Sequence, residues 1–571
     1  MVDHFGVAAL ARVLAHGEEV LGAPASIISI VSIISIVFRL DAGGGRFKKL
    51  RIENGEWRIK GCLWRLFFFC CGRLCLYDII IRMICAHGGC YVMKIPESAK
   101  ELTPQEKKLA TGGIPRLVLY YSIPTIIGML VNGLYVVVDR FFVAQIPGVG
   151  EDALTGIGLS GPILNMVGAF ALLVGIGTAA NISLHLGNRD KESAERVLGN
   201  ALVLNIVFPI LLGIVGLIFL EPLLAAVGAN EYTMPFALTY TRIVLAGCIV
   251  MFLSFAMNHP IRAMGNPKRF ASAQLLGAIS NIILSPIFIL WMGLGIAGAA
   301  ISTLIAQSIS AMWVFSYYFT NISGKPVITI KLKNLRLSPK IILSIFAIGI
   351  SPFFMQFLGS VINIVANLTL LHYGELEFGS MDYANNAVGA FTIITSISML
   401  FLMPVFGINQ GAQPILGFNF GAGNISRVKQ AYKYSALYAV AICVLGFIIV
   451  QLFADKLMLL FSNDPALIEI GAIGMRIILF TMPLMGFQIN AANFFQSIGR
   501  AKISVFLAVL RQGLILIPAY LILPLFFGFD GIWFAMPVAD TIALLITAGM
   551  IYREFKILTK LQKTLDTASE S

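Results

Sequence analysis

The chain has 571 residues, 58% of them hydrophobic and only 12% charged. A soluble chain this long would divide into domains with charged surfaces, and there are too few charges here to coat them. The net charge of +12 sits in short gaps between apolar runs, with no basic stripe interleaved with aromatics, which argues against nucleic-acid binding. Apolar stretches of about 20 residues, the length that crosses hydrocarbon as a helix, recur along almost the whole chain.

The first 92 residues follow a different pattern. Residues 26–37 read SIISIVSIISIV, and Pro24 interrupts the one apolar run, 20–38, that is long enough to span. Six of the eight cysteines fall in this part: Cys62, Cys70, Cys71, Cys75, Cys85 and Cys90. They contain no CxxC pair, and the later Cys248 and Cys443 lie inside apolar runs, so neither zinc spacing nor a disulfide framework is expected. From Met93 the chain reads MKIPESAKELTPQEKKLATGG, a polar basic leader running into the first regular span. The expectation is that residues 1–92 are an atypical extension and that translation begins at Met93.

Twelve spans follow, near 116–143, 155–185, 197–221, 236–259, 270–292 and 295–320, then 341–372, 384–416, 430–454, 467–496, 503–528 and 531–552. The fold expected is therefore an all-α integral membrane protein with twelve transmembrane helices. Charges in the gaps alternate. One set holds Arg189, Lys191 and Arg196, then Lys268 and Arg269, a basic linker, Arg427 and Lys429, and Arg500 and Lys502. The other holds Glu151 and Asp152, Glu221 and Glu231, Glu375 and Glu377, Asp464, and Asp530, with Lys456 the main exception. Because Lys and Arg mark cytoplasmic gaps, both termini and the linker are expected inside.

The two halves read as copies. Aligning Pro124 with Pro352 sets Asp139 opposite Asn367. Gly187 falls opposite Gly421, Gly265 opposite Gly499 and Lys268 opposite Lys502, each 234 positions apart. With six spans per half both copies keep one membrane orientation, as in parallel-repeat transporters whose two lobes rock about a central cleft. The expected division is a first lobe at 93–322 with helices 1–6, a linker at 323–340, a second lobe at 341–555 with helices 7–12, and a cytoplasmic tail at 556–571.

The segments LYVVVDRFFV (134–143), GNRDK (187–191), RAMGNPK (262–268), SNIILSPIFI (280–289), GAAISTLIAQ (298–307) and GAQPILGFNFGAG (411–423) together resemble the multidrug and toxic compound extrusion (MATE) family, and within it the MepA-like exporters. The resemblance covers residues 110 to 555. It implies two pseudo-symmetric six-helix lobes and export of amphipathic drugs or organic cations, driven by a proton or sodium gradient, with no cofactor. It also implies an acidic residue in the first span within an amino-terminal cation site, the position Asp139 occupies. Related members add an Asn and an Asp four residues apart in the fifth span and a Thr in the sixth. This chain supplies Asn281 and Thr303, with Ser285 where the Asp would stand, so one charge and one protonatable group are missing. A sodium site would use Asp139, Asn281 and Thr303; no other metal is expected.

The residues themselves agree on the first candidate. Asp139 lies well inside an apolar run, where a carboxylate is costly, by about 2.5–3.5 kcal/mol on translocon scales at a helix centre, so it should face the interior or a watery cavity. Arg140, about 100° away on the helix, is a poor direct partner. Asn281 and Ser285 share a helix face, and Thr303 can complete a polar cluster with them, as coupling groups or as glue between spans. Arg511 and Asp540 read as an interhelical ion pair, with gating or coupling in the second lobe as the other reading; Asn367 joins them as the partner of Asp139 in the repeat. The second half is rich in amides, among them Gln356, Asn409, Gln410, Gln413, Asn490, Asn493 and Gln496, which suit packing or a binding cavity.

Two other functions make different demands on the residues. A flippase for lipid-linked saccharides would want several cations in its cleft, and Arg511, Arg242 and Arg476 are the ones on offer. A membrane-embedded enzyme would need a nucleophile with its base or a ligand cluster, and no HExxH, GxSxG or glycine-rich nucleotide loop is present. The expected partners are small molecules and membrane lipids, the expected state a monomer, and the expected location a plasma membrane. Mass spectrometry of the mature amino terminus tests the start at Met93: a terminal peptide beginning there is expected, and a peptide from residues 1–92 contradicts it.

Overall fold

In a bilayer every backbone N–H and C=O must be paired inside the protein, so uninterrupted helices are the expected solution. The computed structural model describes residues 103–319 and 326–570 and bears this out. The expected extension at 1–92 lies outside the described residues. Among the described residues eleven helices are long and apolar enough to cross: Ile114–Ala144, Asp152–Gly187, Lys191–Ile218, Pro267–Trp291, Gly295–Phe319, Pro339–Phe378, Met381–Gly421, Ile425–Leu459, Pro465–Ser497, Ala501–Phe527 and Asp530–Leu565. The remaining span is Met234–Ala246 with Cys248–Ala263, bent by 58° at Gly247. It takes fourth place, so the expected twelve spans appear in order. The last helix runs on to Glu570, so the expected tail continues the twelfth span as helix.

The turns follow from local chemistry. Asp190 caps the third span by accepting from the Ser193 amide at 3.0 Å, Asn266 caps the fifth through Arg269 at 3.2 Å, and Asp464 caps the tenth through Ala466 at 3.0 Å. Gly265 and Gly499, paired in the repeat, both take positive φ, 93° and 77°, where a side chain would be strained. The fifth and eleventh spans share a further irregularity. Each contains a π-helical segment, Ile287–Trp291 and Leu510–Leu516, beside Pro286 and Pro518 respectively.

The halves meet along the first, second, seventh and eighth spans, from mid-helix toward the end that carries the basic turns. Helices pack this closely only where one side lacks a Cβ. A Cβ on Gly187 would overlap the Phe418 carbonyl, and one on Gly421 would overlap the Leu184 carbonyl, so the two paired glycines exchange equivalent contacts. Ser344 donates to Asn181 at 2.7 Å across the same seam. A short leading helix, Pro104–Thr111, lies over this end, started by a capping box between Thr103 and Glu106. Glu106 pairs with Lys191 of the first half at 3.3 Å. The helix's terminal carbonyls, Leu109 and Gly112, accept from Arg427 of the second half at 3.1 and 2.7 Å. The linker is tied down as well, since Asn200 donates to the Arg336 carbonyl at 3.2 Å and accepts from the Ser338 amide at 2.8 Å. A continuous apolar core, including Leu117, Val197, Ile415 and Phe494, joins both halves.

The seam predicts its own sensitivity. Gly421→Leu overpacks it and should cost about 1–3 kcal/mol, read as a lower Tm in detergent. Gly549→Leu, on an open face of the twelfth helix, should leave Tm unchanged. Equal effects at both positions contradict the close packing.

Candidate functional site

Asp139 sits near the far end of the first span and is only 7% exposed. Hydroxyl and amide groups from the fifth and sixth spans close around it. Ser285 donates to Asp139 Oδ1 at 2.8 Å and lies 3.1 Å from the Ser302 hydroxyl. Ser285 also bonds Asn281 Oδ1, and Asn281 Nδ2 donates to Thr303 Oγ1 at 3.2 Å. The four residues expected from the sequence therefore form one connected cluster. Ser302 was not anticipated; its place one residue before Thr303 was the available signal. The spacing explains the geometry: Asn281 and Ser285 are one helical turn apart and face the first span together, and the π-helical widening begins just after them. Among the described residues, Asp139 has no cationic partner within ion-pair distance.

A cavity of about 340 Å³ opens beside this cluster. Asn281 and Thr303 belong to both. The rest of its polar wall comes from side chains that were not singled out, including Asn132, Asn165, Asn258, Gln274 and Gln307. Of the second-half amides named from the sequence, Gln356 alone reaches this wall. The others join helices: Asn490 donates to Asn409 Oδ1 at 2.7 Å, Asn493 to the Asn409 carbonyl at 2.9 Å, and Gln496 to the Ile348 carbonyl at 3.3 Å.

The second half holds a different arrangement. Arg511, in its π-helical segment, donates from Nε to Asp540 Oδ1 at 2.6 Å. Asp540, 1% exposed, also accepts from Thr481 at 3.0 Å. Asn367 stands apart, with its Oδ1 buried and without a hydrogen-bond partner among the described residues. No group of three or more His, Cys, Asp or Glu side chains comes together among the described residues.

The MatE family model matches residues 124–287 and again residues 353–521, together more than half of the chain. The chain belongs to the MatE family. The double match falls on the two halves recognised from internal spacing. The multidrug export protein MepA of Staphylococcus aureus strain MRSA252 is 25% identical over 439 residues, covering 76% of this chain and 93% of that protein. An outward-facing structure of a multidrug resistance MATE family transporter of the MOP superfamily is 25% identical, with a TM-score of 0.73 over 81% of this chain and 100% of the other. A MOP superfamily transporter from Pyrococcus furiosus shares the fold at 24% identity and a TM-score of 0.74, with the same coverage. Members of this family are membrane transporters, and the chain is accordingly a multi-pass transporter rather than an enzyme.

The Arg511–Asp540 pair makes a separable prediction. Removing one partner from a buried pair leaves an uncompensated charge and costs about 3–5 kcal/mol, whereas replacing both by apolar groups is near neutral. Asp540→Leu should therefore lower Tm sharply and the double variant Arg511→Met/Asp540→Leu should recover most of it. If the double variant is stable but no longer transports, the pair does more than hold helices together.

Proposed function

We propose that this transporter is an exporter of amphipathic or cationic organic compounds, run by antiport against protons or sodium ions. The observation that carries this reading is Asp139, a buried carboxylate held by the Ser285 hydroxyl at 2.8 Å, in a cluster that shares Asn281 and Thr303 with the cavity. A cation in the cavity and an ion on Asp139 compete for the same negative charge, which is the simplest basis for exchange. The cavity's neutral amides suit substrates of varied shape, and the name of the similar Staphylococcus aureus protein, a multidrug export protein, supports this substrate class.

In this reading, the first lobe spans 93–322 and the second 341–555. The basic turns face the cytoplasm of a cell bounded by a plasma membrane, as do both termini. The seam around Gly187 and Gly421 then closes the cytoplasmic side, and the cavity faces outward, ready to release drug and load an ion. Loading neutralises Asp139, loosens its hold on the fifth span and lets the first lobe repack. The protein works as a monomer.

The flippase alternative is weaker, because two of its three candidate cations are already committed to carboxylates. Arg511 pairs with Asp540 at 2.6 Å and Arg476 with Asp455 at 2.5 Å.

Asp139→Asn should reach the membrane at the normal level and lose gradient-driven efflux by about tenfold or more. Efflux of an ethidium-like cation from liposomes, with a proton or a sodium gradient imposed alone, checks this and identifies the ion. Unchanged efflux by the variant moves coupling away from the first span.

A further inference from the structure

We propose that Arg262 is the latch that holds the two halves together at the basic end, and that transport requires it to let go of the eighth span. This rests on the alternating-access reading above. Arg262 closes the fourth span in the segment His259–Ala263 and is completely buried. Its guanidinium reaches across the seam to the eighth span, donating from Nη1 to Gln410 Oε1 at 2.5 Å and from Nη2 to Gln413 Oε1 at 2.9 Å. On its own side, Nη2 lies 3.5 Å from His259 Nδ1 and the guanidinium carbon stands 4.8 Å from the centre of the Phe270 ring. Its Nε is buried with no hydrogen-bond partner among the described residues.

A buried guanidinium is ordinarily matched by a carboxylate. Arg262 has none within ion-pair distance among the described residues. Two neutral carbonyl oxygens from the opposite half hold the charge instead, and that choice has a mechanical consequence. An ionic pair sealed from water would fix the halves together; two amides hold the charge well enough to favour the closed seam and weakly enough to release it. The internal repeat supports a specific role. The residue at the equivalent place in the second half, 234 positions on, is Gln496. It makes a single 3.3 Å bond to the Ile348 carbonyl. Ordinary packing of this turn therefore needs only an amide, and the charge at 262 is additional.

The position also connects the latch to the cavity. Asn258, one turn before Arg262, lines the cavity wall and donates to the Phe270 carbonyl at 3.0 Å. Phe270 is the ring beneath the guanidinium and stands at the start of the fifth span, the helix that carries Asn281 and Ser285 farther along. A shift of the fifth span when Asp139 changes its load is thus transmitted to the surface on which Arg262 rests. Arg262 is a positioning residue in this scheme; it acts on the halves and touches neither the cavity nor Asp139.

Hydrogen–deuterium exchange on the full chain in detergent, without substrate, reads the seam directly. Two substitutions should move it in opposite directions. Arg262→Gln removes the charge, and exchange in the turns at 184–190 and 418–424 should speed by about tenfold. Gln413→Glu gives the guanidinium a carboxylate across the seam; exchange at both turns should slow, and transport should fall because the halves no longer part. Exchange around 540–547 in the second half should stay as in the wild type. A Gln413→Glu protein with wild-type or faster exchange at the turns overturns the latch, as does an Arg262→Gln protein with unchanged exchange there. If either variant exchanges faster over its whole length it has lost its fold, and Arg262→Lys is read in its place. Faster exchange confined to the two turns then supports the latch, and no change overturns it. Because no drug or ion gradient enters this measurement, its result stands apart from the substrate assigned above.

Discussion

A buried carboxylate held by one serine hydroxyl, itself tied into a cluster of hydroxyl and amide groups, is the constraint on which the rest of this molecule depends. Among the described residues Asp139 has no basic partner within ion-pair distance, so its charge must be accommodated by the polar groups that face it or removed by an ion. Those polar groups come from the fifth and sixth spans, and the fifth span widens into a π-helical segment immediately after Ser285. The same helix face borders the cavity through Asn281. One local electrostatic problem therefore ties together a helix irregularity, a polar cavity and the packing of three spans.

Duplication supplies the frame, and departures from it supply the function. Equivalent glycines make equivalent contacts at the seam, equivalent turns take the same backbone shape, and equivalent spans carry π-helical segments. Against that background the two halves differ in where they place buried charge. Asp139 stands opposite Asn367, Arg262 opposite Gln496, and the cluster around Asp139 contrasts with a closed Arg511–Asp540 pair in the second half. Among the described residues, Asp139 and Arg262 in the first half are buried charges without an ion-pair partner, whereas Asp540, the buried carboxylate of the second half's membrane core, is paired with Arg511.

Much of this was legible in the sequence, because hydrophobic length and charge alternation are local properties. The twelve spans follow from run length, and helical spacing puts Asn281 and Ser285 on one face; that Asp139, Asn281, Ser285 and Thr303 belong together was implied by the family resemblance. The repeat landmarks at Gly187, Gly265, Gly421 and Gly499 were visible because glycine is hard to replace where backbones touch or turn. Arg262 was visible only as a letter in the RAMGNPK segment. Its burial depends on two glutamines about 150 positions away, and no local pattern reports such a meeting. The cavity amides were missed for the same reason, since whether Asn258 or Gln274 lines a cavity or joins two helices is decided by tertiary packing. The bend at Gly247, which joins two helices into one span, lies against Leu304 of the sixth span, a contact that no local pattern reports.

The central claim is that substrate and coupling ion compete for the charge on Asp139. It is tested most directly by measuring ion release when substrate binds. Purified protein in a weakly buffered detergent solution, with a pH indicator and a sodium-selective electrode, is titrated with an ethidium-like cation. The account predicts release of about one proton or one sodium ion per cation bound by the wild type, and none by Asp139→Asn. Equal release by both proteins, or binding with no release by either, would contradict it.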